Sequence, residues 1–132
     1  MKTAVLVATL ALACAAPAEA ATVKQVTSTC HDGGFSGRFT LRFETSGGYH
    51  RPLGAITTAG PYIGDSGTQS LRISYQAGTS THTVYTHVGP ATNGEHTETF
   101  PAGLTIPVTA RGSAAMTFDS GTASCVATVP IG

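Results

Sequence analysis

Alternation of apolar and polar residues is the recurrent pattern along this chain. It is clearest at residues 38–44, where Phe39, Leu41 and Phe43 alternate with charged or hydroxylated neighbours. Because successive side chains of a strand point to opposite faces, this segment predicts a half-buried strand. The same pattern predicts six further strands, and residues 55–58 are compatible with an eighth. The six comprise residues 22–29, 71–75, 81–88, 104–110, 114–118 and 122–129.

Turn-forming residues separate these segments, and no segment shows a sustained helical period. The main turn signals are Gly33-Gly34, Ser46-Gly47-Gly48, Gly64-Asp65-Ser66-Gly67, Gly89-Pro90, Asn93-Gly94 and Asp119-Ser120-Gly121. Short strands at this spacing are typical of a sandwich. The sequence therefore predicts an all-β fold, an immunoglobulin-like antiparallel β-sandwich of about seven to eight strands.

The first 20 residues have the three parts of a secretory signal peptide. Lys2 supplies a positive charge, an alanine-rich apolar run follows, and Ala18-Glu19-Ala20 is a small-x-small cleavage site. We expect cleavage before Ala21, a secreted product and a single domain over residues 21–132. Cys14 gives an alternative, because Leu10-Ala11-Leu12-Ala13-Cys14 resembles the lipobox of lipid-anchored proteins.

Two cysteines remain after the signal peptide, Cys30 near the start of the domain and Cys125 near its end. An oxidising exterior favours a disulfide between them, which would tie the first strand to the last.

Charge and length exclude several partners. Without Lys2 and Glu19, six basic and six acidic side chains remain, and they form no run of either sign. Such a chain is not suited to nucleic acid. The apolar N-terminal run is shorter than the roughly 20 residues of a membrane-spanning helix, so we expect no membrane span.

Two short motifs resemble catalytic loops. Gly64-Asp65-Ser66-Gly67 is similar to the nucleophile loop of trypsin-type proteases, and Asp119-Ser120-Gly121 is similar to the motif of aspartic proteases. The chain is too short for two β-barrels, and too few residues follow Gly121 for a second structural half. We therefore interpret both motifs as turns, the second joining the last two strands.

Histidine and tyrosine supply the other candidates for chemistry. Five histidines suggest a metal site, but their spacing does not favour one, and His82 and His87 are predicted on opposite faces of a strand. We expect neither a metal nor a cofactor. The histidines are His31, His50, His82, His87 and His96, and the tyrosines are Tyr49, Tyr62, Tyr75 and Tyr85. Tyrosine is a frequent contact residue, and Tyr49, His50, Arg51 and Pro52 form the candidate contact loop. The favoured interpretation of these four residues is a plain strand connection.

The chain resembles small secreted actinobacterial proteins of unknown function. The resemblance rests on Cys30, Asp32-Gly33-Gly34-Phe35, residues 45–50, Ile63-Gly64, Phe118-Asp119, Cys125 and Ala127-Thr128. It implies an exported, disulfide-linked β-sandwich and transfers no catalytic or binding residue.

Three functional hypotheses follow. The leading one is a secreted, non-enzymatic binding module for an extracellular protein, in one form an inhibitor of an extracellular protease. The second is a small secreted hydrolase or metal-binding enzyme that uses a histidine with Asp119 or Asp65. The third is a structural protein of a cell or spore surface, for which an exposed sheet edge would be a sign.

Overall fold

The computed structural model describes residues 21–61 and 63–132, and none of these residues is helical. The predicted signal peptide, with Cys14, and Tyr62 lie outside the described residues. Among the described residues no helix is long and apolar enough to cross a membrane. The strands are β1 (Thr22–Asp32), β2 (Phe35–Ser46), β3 (Tyr49–Gly60), β4 (Thr68–Ala77), β5 (Ser80–Pro90), β6 (Gly94–Thr99), β7 (Ile106–Pro107), β8 (Arg111–Asp119) and β9 (Ser124–Ile131).

The strands form two antiparallel sheets. In the first sheet the order is β1-β2-β3-β6, with β7 paired to the start of β3. In the second sheet the order is β5-β4-β8-β9. The prediction of an all-β antiparallel sandwich closed by one disulfide is confirmed, with nine strands in the described residues.

Besides β3, which begins six residues before the segment predicted at residues 55–58, two strands differ from the sequence pattern. The predicted strand over residues 104–110 shrinks to Ile106–Pro107, because Ala110 N–H donates to the Pro107 carbonyl 3.0 Å away and turns the chain. β6 was not predicted. Its sequence is polar on both faces, and a short edge strand of that composition carries no alternation signal.

The core lies between the sheets and follows the alternation in β2. Phe39, Leu41 and Phe43 are fully buried, as predicted, while Arg38 and Arg42 are exposed on the other face. The second sheet contributes fully buried side chains from β4, β8 and β9. These are Leu71, Ile73, Met116, Phe118 and Val129.

A disulfide and an aromatic contact hold the sheets together at one side. Cys30 of β1 is bonded to Cys125 of β9, 95 residues further on. Gly37 is the register partner of Cys30, and Phe118 is the register partner of Cys125. The Phe118 ring occupies the space where a Cβ on Gly37 would stand. Gly37 thus lets an aromatic ring pack against the first sheet next to the disulfide.

We predict that Gly37→Ala destabilises the protein by about 1–3 kcal/mol, because the added methyl group collides with a ring held between two sheets. Gly34→Ala is the matched control, since no atom lies within 4 Å of its added Cβ, and we expect a change of about 0.5 kcal/mol or less. Urea unfolding of both variants measures the difference. Equal free energies of unfolding would contradict the packing role of Gly37.

Candidate binding face

The candidate contact loop lies within a strand. Tyr49 to Pro52 are the first four residues of β3, so their placement in a loop was wrong. Gly47 and Gly48 make the whole chain reversal, with φ values of 60° and 82° that suit glycine. Ser46 therefore pairs directly with Tyr49.

Strand alternation divides these four residues between the two faces of the first sheet. His50 and Pro52 point inward and are buried. Tyr49, which is 45% exposed, and Arg51 point outward. Half of the predicted contact residues therefore lie on the outer surface of the first sheet.

That surface, which we call the outer face, is defined by the register of β1, β2, β3 and β6. Its central row contains Thr27, Thr40, Ile56 and Thr97. The row on one side contains Thr29, Arg38, Thr58 and Glu95, and the row on the other side contains Gln25, Arg42, Gly54 and Thr99.

The central row of the outer face is rich in hydroxyl groups. A hydrogen bond of 2.8 Å joins the Thr27 and Thr40 hydroxyls. Ile56 is 42% exposed in the middle of this otherwise hydroxyl-rich surface.

Two grooves lie on the outer face. The larger has a volume of about 740 Å³, and Arg38, Thr58 and Asn93 are among its lining residues. The smaller has a volume of about 250 Å³ and is lined by Arg42, Thr40 and Ile56. Thr58 and Gly54 on β3 are shorter than Arg38 and Arg42, their register partners on β2. An extended ligand lying along β2 would contact both grooves.

Arg38 and Arg42 have no carboxylate partner in the described part of the chain. The acidic residues on the same face are Glu44 and Glu95, and neither forms an ion pair with an arginine within 4.0 Å. Both guanidinium groups are exposed, and each keeps its donors for solvent or a ligand. The sequence predicted that both arginines face outward, because they occupy the polar positions of the alternating segment.

A buried polar network lies between the sheets at the side opposite the disulfide. Thr57 Oγ1 donates to Gln69 Oε1 at 3.1 Å, and Gln69 Nε2 donates to Glu98 Oε1 at 2.9 Å. Glu98 is 7% exposed, and its Oε2 has no hydrogen-bond partner. Sequence reasoning missed this network, because glutamine and glutamate in polar strands ordinarily face solvent.

His87 contacts the same carboxylate from β5. Its Nδ1 lies 3.6 Å from Glu98 Oε1, the one histidine–carboxylate pair within 4.0 Å among the described residues. The pair links β5 of the second sheet to β6 of the first. The enzyme hypothesis named Asp119 and Asp65 as the acid, and neither of them forms such a pair in the described residues.

The prediction that His82 and His87 face opposite ways was wrong. The register between β4 and β5 shifts at Ile73 and Ser74, which leaves Val84 as an extra residue in β5. This bulge reverses the alternation, so both histidines lie on the inner face of the second sheet. His82 stacks on Tyr75 with ring centroids 5.0 Å apart.

His50 is held in a buried site next to the core. Its Nδ1 lies 2.7 Å from the Thr45 hydroxyl, and its ring meets the Phe43 ring edge-on at 5.5 Å. Burial lowers the pKa of His50 below its ordinary value of 6.5, and the nearby charge of Lys24 lowers it further.

The two motifs that resemble protease loops form turns, as predicted. Gly67 N–H donates to the Gly64 carbonyl at 3.1 Å. Asp119 Oδ1 accepts a hydrogen bond from Gly121 N–H at 2.8 Å, in the turn between β8 and β9. No group of three or more His, Cys, Asp or Glu residues that could hold a metal ion occurs in residues 21–61 and 63–132.

Comparisons with protein-family models, with curated proteins and with solved structures found no match to this chain.

We predict that Gln69→Leu lowers the free energy of unfolding by about 2–3 kcal/mol, because it removes the donor to a buried carboxylate. The double variant Gln69→Leu/Glu98→Leu should recover most of that loss, since it removes the buried charge as well. Denaturant unfolding of the single and double variants tests this. A double variant less stable than Gln69→Leu would show that Glu98 has other stabilising partners.

We also predict that the protein loses stability as the pH falls below about 6.5, the ordinary pKa of histidine. Folded His50 binds a proton less readily than unfolded His50, so unfolding takes up a proton and acid favours the unfolded state. His50→Gln should reduce the pH dependence of the free energy of unfolding between neutral pH and pH of about 5. The exposed residue His31 gives the control, His31→Gln, which should retain the wild-type dependence. The same slope in both variants would refute the assignment to His50.

Proposed function

We propose that this chain is a secreted, non-enzymatic binding module that presents the outer face of its first sheet to another extracellular protein. In this proposal residues 1–20 direct export, the sandwich is of the immunoglobulin-like type, and the chain is similar to the actinobacterial group named above. The Cys30–Cys125 disulfide is compatible with an extracellular protein.

The pair of arginines on β2 is the observation that carries the proposal. Arg38 and Arg42 line grooves on a continuous sheet surface, and neither has a carboxylate partner within 4.0 Å in the described residues. Arginine is enriched in protein interfaces, and the exposed Ile56 near this pair offers an apolar contact. Tyr49 and Arg51 extend the same face towards the β2–β3 turn.

The protease-inhibitor form of this proposal would insert the candidate contact loop, Tyr49 to Pro52, into an active site, but these residues begin the second strand of the β2–β3 hairpin. Gly47 and Gly48 form the tip of that hairpin instead, and they bring no side chain to insert into an active site. The outer face therefore supports a binding module better than this hairpin supports an inserted inhibitor loop.

Self-association as a structural component of a surface is a second candidate, favoured by β5. This edge strand has 11 residues and contains no Lys, Arg, Asp or Glu. It pairs with β4 on one side only. Long uncharged edges are templates for pairing with another strand, although the bulge at Val84 partly protects this one.

The test uses Ile56→Asp on the outer face and Val126→Asp as its matched control. Both residues are exposed aliphatic side chains on strands, 42% and 54% exposed, but Val126 lies on the second sheet. Immobilised wild type and Val126→Asp should retain the same component of the extracellular material from the source organism. Ile56→Asp should retain about tenfold less, because it places a carboxylate in the middle of the contact.

Equal retention by all three proteins, or retention by none, would overturn the proposal. Light scattering on the same samples tests the second candidate. A dimer or larger assembly that is unaffected by either substitution would favour self-association through β5.

A further inference from the structure

We infer that the outer face recognises an extended acidic segment of a protein partner, with two carboxylates four residues apart and an apolar side chain midway between them. This inference names the ligand class of the binding face and therefore rests on the proposed function.

The spacing of the arginines supplies the first argument. Arg38 and Arg42 are four residues apart on one face of β2, which places them about 13 Å apart at about 3.3 Å per residue. Side chains i and i+4 of any extended strand have the same separation. A partner strand lying along β2 can therefore bring one carboxylate to each guanidinium.

The central row supplies the second argument. Thr40 lies between the two arginines and pairs across the sheet with Ile56. A partner residue at i+2 would lie above this row, where the exposed Ile56 side chain offers an apolar contact. The expected pattern is acidic, any residue, apolar, any residue, acidic.

The acidic residues of the outer face favour a ligand with two separated carboxylates over a continuous polyanion. Guanidinium binds carboxylate with paired, charge-assisted hydrogen bonds. Glu95 shares a row with Arg38, and Glu44 lies two residues beyond Arg42. These carboxylates would repel a polymer with a charge on every unit, whereas separated acidic residues can avoid them.

The experiment titrates the mature protein with the peptide acetyl-Thr-Glu-Thr-Val-Thr-Glu-Thr-amide and follows backbone amide shifts by NMR. We expect saturable shifts centred on β2 and β3 at millimolar peptide or below. The same peptide with both Glu replaced by Gln should bind at least about tenfold more weakly.

Variants of the protein locate the contact. Arg38→Gln and Arg42→Gln should each weaken binding about five- to tenfold. Arg72→Gln is the control, because Arg72 lies on the outer surface of the second sheet, where it donates to Thr83. It should leave the affinity unchanged.

Equal shifts with the Glu and Gln peptides, or tighter binding of sodium polygalacturonate than of the Glu peptide, would overturn the inference. If the Glu peptide does not bind while Ile56→Asp still lowers retention of the natural component about tenfold, the ligand class is wrong and the binding face stands. If the Glu peptide does not bind and Ile56→Asp does not reduce retention, both proposals fail.

Discussion

The link between β1 and β9 fixes the geometry from which the rest of this sandwich follows. Its covalent part, Cys30–Cys125, closes a loop of 95 residues, a constraint on the unfolded chain of about 4–5 kcal/mol on the chain-entropy model. Its packing part is the Phe118 ring against Gly37, one register step inside the disulfide on each sheet. Together they set the separation of the sheets at this side, and the apolar side chains of β2 fill the space that results.

The opposite side of the sandwich depends on a different chemistry. There the sheets meet through Gln69, Glu98 and His87, which are polar groups partly or wholly removed from water. A buried carboxylate with an oxygen that lacks a partner costs free energy, so this side contributes less net stability than an apolar contact of the same size. We expect local opening to begin at β5 and β6, while β1 and β9 remain joined.

The parts of the fold that depend on local patterns could be predicted from the sequence. The alternation in β2 predicted both the buried Phe39 row and the exposed Arg38 and Arg42. Turn glycines predicted several of the connections, but Gly89-Pro90 lies within β5 and the turn at Gly78 was missed. Features set by pairing between distant strands could not be predicted. The bulge at Val84 has no local signal, and His50 and Pro52 have a loop-like composition although the register buries them. Glu98 is buried only because β6 lies opposite β5 across the core.

The alternation in β2 has a consequence for how this protein can change. The odd-numbered positions from Phe35 to Phe43 face the interior, and the even-numbered positions from Ser36 to Glu44 face outward. Substitutions at the even positions can alter recognition while the fold is preserved. The residues of β2 that contact a ligand can therefore vary independently of those that form the core. An insertion or deletion of a single residue would exchange the two sets, placing arginine in the core and phenylalanine in solvent. Diversification of the outer face, in evolution or in a designed library, should therefore proceed by replacement of residues at fixed length.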